Sequence, residues 1–148
     1  MSEYLDTSVV VKWFKRTESH HRESKVLLDR IIDQDGAFVM SKYGVLELIR
    51  ALMKANQSLT MIEDSYHTMI DLYRNEAIRS VPMEPLIHLT KNIQLDLNLY
   101  ASDALHLASA IQSNCQVFWT EDHHHHNQRT MDYVKKYDMT IVRLDTLE

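Results

Sequence analysis

The chain carries 148 residues, 45% of them hydrophobic and 25% charged, with a formal charge of −5. That length and apolar content suit one domain with a sizeable core and exclude a disordered chain or a coiled-coil rod. Two glycines and two prolines leave little material for long linkers or a turn-rich all-β sandwich, and no apolar run reaches the roughly 18 residues a membrane span needs.

Glu3–Leu5 reads as a short strand that ends at Asp6, and Thr7–Lys15 follows with helical spacing that sets Val10, Trp13 and Phe14 on one side. Ser19–Asp33 is a second amphipathic helix with Val26, Leu27, Ile31 and Ile32 as its apolar positions, closed near Asp35-Gly36. Ala37–Met40 predicts a buried strand. Ser41 is placed to cap a helix from Lys42 to Ala55, whose core stripe is Val45, Leu48, Ile49 and Leu52, with Glu47 among them. Thr60-Met61-Ile62-Glu63 matches a capping box and predicts a helix through about Tyr73. Ala77–Val81 predicts a third strand ended by Pro82, and Pro85 suits the first turn of a helix running to about Leu95. After a break at Asp96–Asn98, Leu105, Ala108 and Ile111 mark a helix from Ser102 to Ser113, with Asp103 in its first turn. Gln116–Trp119 is a further strand, followed by Thr120-Glu121-Asp122, a histidine-rich loop, a helix over Thr130–Lys136 and a strand at Thr140–Arg143.

Short apolar strands alternating with helices predict a three-layer α/β/α fold with a mainly parallel sheet of about five strands, in a single domain over 1–148. In such sheets ligands bind beyond the carboxyl ends of the strands, where Asp6 and Asp122 fall.

The acidic N-terminus, Met1-Ser2-Glu3-Tyr4, has no basic region of the kind a signal peptide opens with, and Cys115 is the single cysteine. Together they point to a reducing, cytoplasmic setting and against a disulfide or a structural zinc site. Charge is unevenly spread: residues 1–54 are net +1 and residues 55–148 net −6. Lys12, Lys15, Arg16, Arg22, Lys25 and Arg30 give one stretch a net of +3, suited to a phosphate backbone or to an ordinary solvated helix face.

Four acids stand out. Asp6 and Asp122 follow strands, Asp103 opens a helix beside an apolar stripe, and Glu47 is flanked by Val45, Leu46, Leu48 and Ile49. Singly, Asp6 and Asp103 read equally well as helix caps, Asp122 as a turn residue and Glu47 as an exposed helix position. Carboxylates gathered in apolar surroundings raise one another's pKa or recruit a cation, and oxygen-only donors favour Mg2+ or Mn2+.

Tyr4-Leu5-Asp6-Thr7-Ser8, Val45-Leu46-Glu47-Leu48, Ala101-Ser102-Asp103-Ala104-Leu105-His106-Leu107-Ala108 and Trp119-Thr120-Glu121-Asp122, in this order, resemble the motifs of the PIN domain family. The similarity is greatest to the small VapC-type toxins of toxin–antitoxin pairs and spans nearly the whole chain. It implies a metal-dependent endoribonuclease that cuts RNA with a metal-activated water, leaving a 5′-phosphate and a 3′-hydroxyl. By that resemblance Asp6 and Asp103 are the main direct ligands of Mg2+ or Mn2+. Glu47 and Asp122 become outer ligands or water-orienting bases, and Ser8 and Thr120 hydrogen-bond behind them. A cognate small antitoxin and a homodimer are the partners it implies.

Two rivals are weighed: a binding-only PIN-like module, which a broken acid set would favour, and an α/β phosphatase with Asp6 as nucleophile, which a second acid at position 8 would favour. All four acids are present and position 8 is Ser. His123-His124-His125-His126 reads as a polar loop without fixed ligand geometry, where adventitious metal binding is expected over catalysis. His106 is expected to be a packed helix residue able to touch the site, Cys115 a core thiol, and Met53, Met61 and Met69 gap-filling core or a dimer surface.

Overall fold

Adjacent residues of the central strand face opposite ways. Leu5 joins a core with Val9, Trp13, Leu27, Ile31, Leu48 and Met69, whereas Tyr4 joins a second core with Ile93, Leu97, Leu107, Phe118 and Val134. Phe38 and Met40 against Val39, and Trp119 against Phe118, repeat the same alternation. A sheet buried on both faces needs apolar residues at consecutive positions, which is why the strands read as unbroken apolar runs.

The structure is a computed structural model that describes residues 1–34 and 36–147. The elements run β1 (Ser2–Leu5), α1 (Thr7–Phe14), α2 (His21–Asp33), β2 (Phe38–Val39), α3 (Tyr43–Lys54), α4 (Leu59–Arg74), β3 (Ile78–Arg79), α5 (Ile87–Leu97), α6 (Ala101–Gln112), β4 (Cys115–Trp119), α7 (Gln128–Lys135) and β5 (Thr140–Val142). Short 3-10 turns cover Glu84–Leu86, with Pro85 in its first turn, and Leu144–Leu147.

The five strands are all parallel, in the order β3-β2-β1-β4-β5. Helices α1 to α4 cover one face and α5 to α7 the other, giving the predicted three layers. From β1 the chain builds outward through β2 to β3, then returns to lay β4 on the opposite side of β1. The carboxyl ends of β1 and β4 therefore flank the switch point of the sheet, the place where open α/β folds bind ligands. Leu5 is in register with Trp119, and the Asp6 N–H donates to the Trp119 carbonyl at 3.0 Å, so Asp6 and Thr120 emerge side by side.

Several sequence expectations are corrected. In α2, Val26 and Ile32 are 42% and 54% exposed, and the buried side is Ser24, Leu27 and Ile31. The predicted closure of this helix falls partly on Asp35, which lies outside the described residues. Helix α4 starts earlier than the Thr60 capping box: Ser58 caps it, accepting from the Met61 N–H at 3.1 Å. Ser41 stands two residues before α3 and accepts from the Tyr43 N–H at 3.3 Å, while Lys42 occupies the N-cap without a side-chain bond. Ile49 is half-buried, and α5 continues to Leu97, where Asn98 takes the left-handed conformation.

Candidate active site

Asp6 leaves β1 in extended conformation and caps α1, and its Oδ2 accepts from the Ser8 hydroxyl at 2.6 Å and the Thr120 hydroxyl at 2.9 Å. The Ser8 hydroxyl also accepts from the Glu121 N–H at 2.9 Å, and Thr120 Oγ1 from the Asp122 N–H at 3.0 Å. Two hydroxyls thus bind the Asp6 carboxylate to the segment that leaves β4, fixing where Asp122 begins its turn. Glu121 points away from this group and anchors the Leu144 N–H at 3.2 Å.

The four sequence-predicted acids divide into two groups. Ligand atoms of Asp103, Asp122 and His125 all lie within 4.8 Å of one another. Asp6 and Glu47 instead gather around His106: Nε2 hydrogen-bonds Glu47 Oε1 and stands 3.7 Å from Asp6 Oδ1. Thr7 donates a second bond to Glu47 Oε1 at 2.9 Å. On its other side, His106 Nδ1 meets the Tyr4 hydroxyl at 2.6 Å, and the Tyr4 oxygen accepts the Ser41 N–H at 3.0 Å. The ring is 1% exposed. Gly44 permits this packing, since a Cβ there would collide with Met40 Cε and stand 2.9 Å from Thr7 Oγ1 and 3.3 Å from His106 Cε1.

Sequence reasoning undervalued two histidines. His106 is packed, as expected, but it is also the bond between Glu47 and the sheet; its place three residues after Asp103 on α6 was the available signal. The histidine run is not a featureless loop: the His125 and His126 N–H groups donate to the carbonyls of Asp122 and His123, and the His124 N–H to Asp122 Oδ1. These turns give each ring its own setting. His125 is fully buried, with Nδ1 3.3 Å from Thr120 Oγ1 and Nε2 3.3 Å from the Asp103 carbonyl. His126 Nε2 bonds the Thr120 carbonyl at 2.7 Å, while His123 and His124 face Asp122.

The family description "PIN domain" matches residues 4–129, an interval that contains all four acids and both hydroxyls. The chain belongs to the PIN domain family. No curated protein matches it. PIN domains are generally nucleases that bind RNA and typically use divalent metal ions.

Electrostatics separate the acids of this PIN domain. Burial drives the Asp6 carboxyl upward, but the neighbouring charges of His106 and His125 and the bonds from Ser8 and Thr120 outweigh it and leave it below the usual range. Asp103 goes the other way: burial first, then the charges of Asp122 and Asp6, raise it against the opposing pull of His125 and His124. His106 is raised, because the Glu47 bond and the charges of Asp6, Glu47 and Asp103 overcome its burial.

The donor set fits a hard divalent ion. Asp103 and Asp122 offer converging oxygens, the ionisation of Asp103 costs free energy that a cation would offset, and both nitrogens of His125 are already engaged. The basic stretch is smaller than its sequence suggests. Lys12 is buried and donates to the Ser19 carbonyl at 2.9 Å, Lys15 pairs with Glu18, and Arg30 pairs with Glu3 at 3.1 Å. Arg16, Arg22 and Lys25 are the exposed members. Among the described residues no helix is long and apolar enough to cross a membrane.

Proposed function

We propose that residues 1–148 form one PIN-like domain acting as a Mg2+- or Mn2+-dependent endoribonuclease, the toxin of a type II toxin–antitoxin pair, working in the cytoplasm. The observation that carries this reading is the convergence of Asp103 and Asp122 beside the ionised Asp6 at the switch point of the sheet. Asp103 and Asp122 would hold the ion with Asp6 alongside. When bound, it supplies Lewis acidity at a scissile phosphate and lowers the pKa of a nucleophilic water.

The chain's own residues set up the rest. Ser8 and Thr120 hold Asp6 in one orientation, and the Tyr4–His106 pair holds Glu47, which is half-exposed and faces the site as a base or water-orienting group. Arg16, Arg22 and Lys25 offer positive charge to an RNA backbone. A protein partner is supported by Leu46, Met53, Leu59 and Met61 of α3 and α4, which are 61%, 51%, 74% and 40% exposed. A small antitoxin or the second copy of a homodimer would cover such a surface.

The test is cleavage of labelled RNAs by the purified protein with and without Mn2+ or Mg2+, beside Asp6→Asn and Asp103→Asn. Metal-dependent cutting abolished by both substitutions is expected. A folded, antitoxin-free protein that cuts no RNA and binds neither ion would overturn the nuclease reading in favour of a binding module.

A further inference from the structure

His123 and His124 stand apart from the other members of the histidine run. Their rings are 4.1 Å apart between centroids, and both present Nδ1 to the same carboxylate oxygen, Asp122 Oδ1, at 3.8 Å and 3.4 Å. The three ligand atoms all lie within 4.8 Å of one another. His124 Nδ1 is also 3.5 Å from Asp103 Oδ2, so a fourth donor is at hand. Both rings and Asp103 line one open cleft of about 550 Å³, with Tyr100 edge-on to His124. The backbone under them is held by the turn bonds to Asp122, so the donors are not spread along a free chain.

We propose that Asp122, His123 and His124 form a transition-metal site for Zn2+ on the rim of this cleft, distinct from the carboxylate centre in its two imidazoles and sharing Asp122 with it. Two imidazoles and one carboxylate with room for a fourth ligand are a zinc-type set, and imidazole nitrogen selects Zn2+ strongly over Mg2+. Tetrahedral zinc holds its donors about 3.3 Å apart; closing these three to that spacing asks mainly for rotation of the His123 ring, whose side chain is 82% exposed. Asp122 belongs both to this group and to the one with Asp103 and His125. Zn2+ here therefore withdraws Asp122 from the hard-ion site, and the two ions exclude one another. The exclusion rests on the proposed carboxylate centre; the zinc site does not.

The experiment uses the full chain, prepared without an affinity tag and with no RNA present. Calorimetric titration with Zn2+ is expected to show one equivalent bound, with at least a tenfold loss of affinity in His123→Ala/His124→Ala. Co2+ used as a coloured substitute should give the visible bands of a four-coordinate site in the wild type and lose them in the variant. Absence of stoichiometric binding, or equal affinity in the variant, would overturn the zinc site. Mn2+ is then loaded and its release followed by electron paramagnetic resonance: one equivalent of Zn2+ is expected to free it. Retention of Mn2+ beside bound Zn2+ overturns the exclusion. A protein that takes up Zn2+ but never Mn2+ likewise overturns the exclusion and counts against the carboxylate centre, leaving the zinc site standing.

Discussion

His106 is hydrogen-bonded through Nε2 to Glu47, 59 residues earlier in the chain, and through Nδ1 to Tyr4 on the central strand. One buried ring thus fastens α3 and α6 to the carboxyl edge of the sheet and sets the position of Glu47. Tyr4→Phe removes both the partner of Nδ1 and the acceptor of the buried Ser41 N–H. A loss of about 1–3 kcal/mol is expected from that orphaned donor, read as a lower urea midpoint with an unchanged slope; an unchanged midpoint would contradict the arrangement.

Gly44→Ala tests the same packing from α3. The added methyl meets Met40 Cε first, then Thr7 Oγ1 and His106 Cε1, which belong to the two groups that bond Glu47. The expected cost is about 1–3 kcal/mol of overpacking, with a fall in nuclease activity because Glu47 is displaced. A variant as stable and as active as the wild type would show that α3 has room to move.

Asp103 should be a stability liability without a cation. Its carboxyl is raised in the folded state, so its contribution is fully present at acid pH and is lost as pH rises through that raised value. In EDTA at neutral pH, Asp103→Asn is therefore expected to melt above the wild type, with the gap closing on acidification. Mn2+ should stabilise the wild type and not the variant. Melting temperatures that coincide at every pH would rule this out.

Asp6 has the opposite linkage. Its carboxyl is held low, which stabilises the fold above the unfolded-state value and ceases to do so as pH falls through the lowered one. Thr120→Val deletes one of the hydroxyl bonds that hold it down and strands the Asp122 N–H. The expected result is a loss of about 1–3 kcal/mol and acid unfolding at a higher pH in EDTA, followed by circular dichroism. Acid unfolding at an unshifted pH would mean that Thr120 does not set the Asp6 charge.

The layers and strand sequence were legible because consecutive apolar residues such as Leu5, Phe38, Val39 and Phe118 have few other uses in a chain with so little glycine and proline. Helix starts were less so. Thr60-Met61-Ile62-Glu63 satisfies the capping pattern, yet Ser58 adopts the extended conformation that lets its hydroxyl reach the Met61 N–H, and the helix begins there. The apolar spacing of α2 could not show that Val26 and Ile32 turn from the sheet, because the direction of a stripe is set by its neighbours. In the site, Asp6, Ser8 and Thr120 carried recognisable motifs. The bridging of Glu47 by His106, 59 residues away, and the approach of His125 to the Asp103 carbonyl depend on segments that only the fold brings together.

The adjacency of β1 and β4 has a consequence for synthesis. Asp6 is translated well before the hydroxyl of Thr120 and the turn of Asp122 that complete its surroundings, which come 114 residues later and beyond. The partners must close a loop of nearly the whole chain, a slow and late event in folding. A nascent chain therefore holds its acids apart until β4 has emerged and inserted beside β1. On the proposed ribonuclease reading, that order of assembly keeps the unfinished polypeptide harmless to the message and ribosome that are producing it.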